Sequence, residues 1–138
     1  MSVVLTNDKG DELTCGGSAW DFYCCLADDY GWKRLGTLPP EGVAAGEWDG
    51  GYSSNDGQHV TAEDATLFAS ALQQNREDPN RAVRQRQVIR RLDAEVRRMA
   101  LEHEGIELPD ESDTEPLPDD ADLDEVIRFL QKGGFKIE

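Results

Sequence analysis

The chain opens on two short strand-like runs. "SVVLT" is β-branched, "NDKGD" is turn chemistry and "ELTC" returns, so the pattern predicts a hairpin over residues 2–15. "GGS" breaks it, and Ser18 is placed to cap a helix. Trp20, Tyr23, Cys24, Ala27 and Tyr30 then recur at helical spacing, giving an aromatic face for the sheet, and Gly31 supplies the stop. "LGTLPPEGVAAGEWDGG" reads as loop. Tyr52–Val60 reads as a lesser hairpin turning on "SNDG", with Gly57 at positive φ.

Thr61 is the next cap, with Asp64 three residues on where a capping-box acid would sit. Ala65, Phe68, Ala69 and Leu72 form the buried stripe of that helix. A further helix runs from Asp78-Pro79 to about His103, with Ile89, Leu92, Val96 and Met99 as a seam facing the core. The composition then shifts: residues 105–119 are acidic, contain three prolines and read as a loop or linker. "DLDEVIRFLQKGG" is a last helix, capped by Asp120 or Asp122 and stopped by Gly133. "FKI" closes as a strand beside the N-terminal hairpin. The expected fold is α+β, a single domain over 1–138. A small, mainly antiparallel sheet of hairpin plus C-terminal strand carries three or four helices on one face.

Composition narrows the function. The 138 residues suffice for one core and not two. A net charge of −15 opposes nucleic acid and anionic membranes, both polyanions, and favours basic partners or mimicry of a nucleic acid. No apolar run reaches the roughly 20 residues of a membrane span, and "MSVVLTNDKG" lacks a basic, apolar leader, so the expected location is the cytoplasm. Three cysteines, an odd number, argue against a disulfide framework. Cys24 and Cys25 diverge by about 100° on a helix and read as small core residues.

"WDGGYSSNDGQHVTAEDATLFASAL" and the later "IRFLQKGGFKI", with "YGWKRLGTLPP", resemble a family of small acidic, uncharacterised bacterial proteins. The resemblance leaves out the arginine-rich helix and the acidic segment. It implies a bacterial, single-domain protein and brings no activity, cofactor or catalytic residue with it.

Metal and catalytic patterns fall short. With Gly57 as the sixth residue of a calcium loop, the first would be Tyr52, where a carboxylate is needed. No cysteine or histidine spacing matches a zinc site. "CGGS" before a helix lacks the phosphate-loop lysine. Cys15, at a helix start, and His59 are the residues of a small-enzyme alternative, working with nearby carboxylates. No cofactor and no metal are expected.

Charge distribution is more informative. Over residues 76–98, eight arginines against four acids give +4, leaving −19 elsewhere. Arg84, Arg91 and Arg98 lie seven residues apart, two helical turns, drifting only ~20° per step. They form a stripe that either pairs with the acidic segment or recognises carboxylates of a partner. A second candidate surface is aromatic and polar: Trp32, Trp48, Tyr52, Asn55, Asp56 and Gln58, either folded onto the core or free to bind. The preferred reading is a small noncatalytic protein-binding module of the inhibitor, immunity or regulatory adaptor type, with nucleic-acid mimicry as its sharper form. The expected partner is another protein.

Overall fold

The computed structural model describes residues 2–102 and 119–138. The acidic segment predicted at 105–119 therefore lies outside the described residues, except for Asp119. Four strands and four helices occur among those described. They are β1 (Ser2–Asn7), β2 (Glu12–Gly16), α1 (Gly17–Asp29), β3 (Gln58–Val60), α2 (Ala62–Glu77), α3 (Arg81–Glu102), α4 (Asp120–Leu130) and β4 (Phe135–Ile137). The fold is α+β, as the sequence pattern predicts.

The sheet is antiparallel in the order β2-β1-β4-β3. Side chains alternate between its faces with period two. Val3, Leu5, Cys15, Val60, Phe135 and Ile137 face the helices and are buried. Val4, Thr6, Thr14, His59 and Lys136 take the other face. Gly134 precedes β4 because nothing larger fits: a Cβ there would stand 2.8 Å from the Val60 carbonyl oxygen. Trp20, Trp32, Phe68 and Phe135 fill the space between sheet and helices, with Trp32 stacked on Phe68 at 4.1 Å between centroids. Buried polar groups join the helices: Gln85 of α3 donates to Asn75 of α2, and Asn75 donates to the Tyr30 hydroxyl just after α1.

Several local expectations change. The Tyr52–Val60 hairpin does not form; β3 pairs with β4, and beyond it with Leu38 through one bridge. The buried Gln58 amide explains this, since it donates to the Ser54 and Gly51 carbonyls and accepts from Asp56 N, closing the stretch as a loop. Gly57 does take positive φ, at 87°. Ser18 caps nothing, because β2 runs straight into α1 and Gly16 takes the cap position without a side-chain bond. The cap of α4 is Asp119, in a capping box with Asp122. In α3, Val88 is buried and Ile89 and Leu92 are partly buried, but Val96 and Met99 are exposed. The predicted core seam thus runs off the body of the protein.

Thr61 does cap α2, accepting from Asp64 N at 3.2 Å. Thr61→Ala should cost about 0.5–2 kcal/mol of stability. Urea denaturation measures it, and an unchanged midpoint would count against the cap.

Candidate functional site

The aromatic surface read from the sequence is largely interior. Tyr52 and Gln58 are buried, as is Trp32. Trp48 is half-buried, its Nε1 donating to Thr37 Oγ1 at 3.0 Å. Only Asn55 and Asp56 remain exposed. The residue that gathers this group is Asp64, which sequence reasoning placed in a capping box. Its side chain turns inward instead and is fully buried. Trp32 Nε1 donates to it at 3.0 Å, Leu35 N at 3.3 Å, and the Tyr52 hydroxyl donates to its other oxygen. Gly36 N donates to the same hydroxyl at 2.9 Å, and Trp20 Nε1 to the Tyr52 carbonyl at 2.7 Å. Burial, reinforced by the Asp64 bond and charge, raises the Tyr52 pKa far above its ordinary value, so the hydroxyl keeps the proton it donates. Arg34, held by Asp28 at 2.7 Å, lies 5.1 Å from the Trp32 centroid and 5.2 Å from that of Tyr52. These bonds organise the loop between α1 and β3.

The alternative reading offered Cys15 or His59 with nearby carboxylates, and the structure does not bring the two residues together. Cys15 lies on β2 and His59 on β3, at opposite edges of the sheet, one facing the helices and the other facing away. Three strand spacings separate them, about 14 Å. Burial pushes the Cys15 thiol up to about 11, helped by Glu125 and Asp122. Burial likewise raises Cys24 and, less, Cys25. A nucleophilic cysteine needs the opposite shift.

The arginine stripe is split. Arg84 and Arg91 converge on Asp29 at the end of α1, at 3.1 and 3.0 Å, and Arg84 also covers the Tyr30 ring. Arg98 lies 3.9 Å from Glu95 on its own helix. Arg76 and Arg81 reach Asp120 and Asp124 of α4. These pairs are mostly half-exposed and individually weak, and those between helices tie α2 and α3 to α1 and α4. Past Leu92, α3 emerges from the fold: Asp93 through Met99 are all exposed. Val96 is 46% and Met99 50% exposed, on the stripe that begins at Ile89 and Leu92. Its 3-4-3 spacing was visible in the sequence; that its outer half has no neighbour among the described residues was not.

Compared with family models, curated proteins and solved structures, the chain matches none. Among the described residues no helix is long and apolar enough to cross a membrane.

The raised thiol gives a test. At pH 8 a pKa near 11 in place of 9 leaves Cys15 about a hundredfold less thiolate than an unperturbed thiol. Iodoacetamide should therefore label native Cys25, which is half-exposed, well before Cys15 or Cys24. Peptide mass mapping reads the order; labelling of Cys15 at the rate of a free thiol would restore the enzyme alternative.

Proposed function

We propose that the protein is a noncatalytic protein-binding module that offers the projecting end of α3 to its partner. The observation that carries this reading is the exposure of Val96 and Met99 in register with Ile89 and Leu92. An apolar pair one turn apart on a solvated helix suits insertion into an apolar groove. Asp93 and Glu95 flank it on exposed positions, ion-paired to Arg97 and Arg98 of the same helix, so its rim carries both charges. This is the adaptor-like form of the sequence reading, with the apolar pair rather than the arginine stripe as the contact. Nucleic-acid mimicry has less support, because Asp28, Asp29, Asp120 and Asp124 are each matched by arginine rather than standing as a free row of charges.

Val96→Gln with Met99→Gln should change unfolding free energy by no more than about 0.5 kcal/mol, since both positions are exposed. The same variant should retain at least tenfold less partner protein from bacterial extract than the parent. Equal recovery of the same proteins by both forms would contradict the proposal.

A further inference from the structure

A groove of about 210 Å³ lies between β2 and the first turns of α4. Its size is below the ~300–1,000 Å³ typical of small-molecule sites and suits one long side chain. Thr14, Cys15 and Gly16 line it from β2, Tyr23 from α1, and Asp122 and Glu125 from α4. Tyr23 is only 3% exposed, yet among the described residues its hydroxyl has no hydrogen-bond partner. Burial, then Cys15 and the carboxylates of Asp122, Asp119 and Glu125, raise its pKa, so it stays a neutral hydroxyl able to donate and accept.

The charges on α4 divide by side. Asp120 and Asp124 face Arg76 and Arg81. Asp122 and Glu125 face the groove, and among the described residues neither has a cationic partner. Asp122 also accepts from Asp119 N, which leaves the second oxygen available. Two carboxylates and the Tyr23 hydroxyl are too few oxygens for a divalent cation, which takes six or more. They match an ammonium or guanidinium, whose several N–H donors reach all three at once. The groove also adjoins an open template. β2 ends the sheet, so among the described residues its outer backbone edge has no strand neighbour.

We propose that this groove binds an extended basic segment of a partner protein. The segment adds as a strand to the outer edge of β2 and places one Lys or Arg side chain against Tyr23, Asp122 and Glu125. Backbone pairing supplies much of the affinity and the carboxylates select the side chain. The inference uses none of the α3 residues that carry the proposed function.

The test titrates the full chain with the capped peptide Ser-Val-Thr-Arg-Val-Thr-Ser, following amide NMR signals and isothermal heats. Shifts should concentrate at residues 13–16 and at the start of α4. Arg→Gln in the peptide, or N-methylation of alternate amides, should weaken binding at least tenfold, and free spermidine should bind more weakly than the peptide. Glu125→Gln, which leaves the α4 cap intact, should cost about tenfold, and Tyr23→Phe several-fold. Glu41→Gln with Glu47→Gln, a larger charge change away from the groove, should leave binding unchanged, as should the Val96 and Met99 variant. Equal binding of the Arg and Gln peptides, equal loss in the Glu41/Glu47 control, or no shifts at β2 would overturn the proposal. Spermidine matching the peptide, with the N-methylated form undiminished, would reduce the site to a simple cation sink and also overturn it.

Discussion

A carboxylate buried without partners is among the costliest groups a protein can hold. Asp64 is fully buried, and the stretch from Trp32 to Gly57 is arranged to supply it with donors. That stretch has little regular structure: one short 3-10 turn at Ala45–Glu47 and the bridge from Leu38. A segment of this kind must satisfy its backbone one group at a time. Asp64 takes Leu35 N directly and Gly36 N through the Tyr52 hydroxyl. Thr37 then bonds Gly50 and Gly51, and Leu38 and His59 exchange backbone bonds at the sheet edge. The dependence runs both ways. Trp32 and Tyr52 can lie against Phe68 and Trp20 only because their polar ends finish on an acceptor or a donor inside the fold.

The parts legible in the sequence were those governed by local period. The N-terminal hairpin, the stripe of Ala65, Phe68, Ala69 and Leu72, and the pairing of "FKI" beside β1 follow from alternation and turn chemistry. The misreadings share another cause. Asp64 occupies a position where helix-capping acids are common, and nothing local says that two indole or phenol groups from a distant loop will compete for it. Gln58 likewise looks like a strand residue, while its amide acts on carbonyls four and seven residues back. Val96 and Met99 have the period of a buried seam, but whether a seam has a neighbour depends on where α1 ends, which no period reports. Trp48, Tyr52 and Gln58 do lie together, linked through Thr37 and Gly51, and of the two alternatives the sequence left open Tyr52 and Gln58 take the one folded onto the core.

The distribution of charge makes functional sense of the remainder. Arginines of α2 and α3 are matched to acids of α1 and α4, and these matched sides hold helices together. Among the described residues Asp122 and Glu125, over the β2 edge, have no cationic partner, while Arg97 and Arg98 on the outer turns of α3 pair with Asp93 and Glu95 of their own helix. The first pair is where the proposed basic segment would sit, and Val96 and Met99 form the ridge proposed as the partner contact. If both proposals hold, the two surfaces use different helices, the groove α4 and the ridge α3.

Amide hydrogen exchange in the native protein and in Asp64→Asn tests this account most directly. Asparagine keeps the shape but replaces one acceptor oxygen with a donor facing the Tyr52 hydroxyl. The account predicts that the Leu35, Gly36 and Thr37 amides lose most of their protection, while the β1–β2 ladder changes only by the overall loss of stability. Identical protection of Leu35 and Gly36 in the two proteins would contradict it.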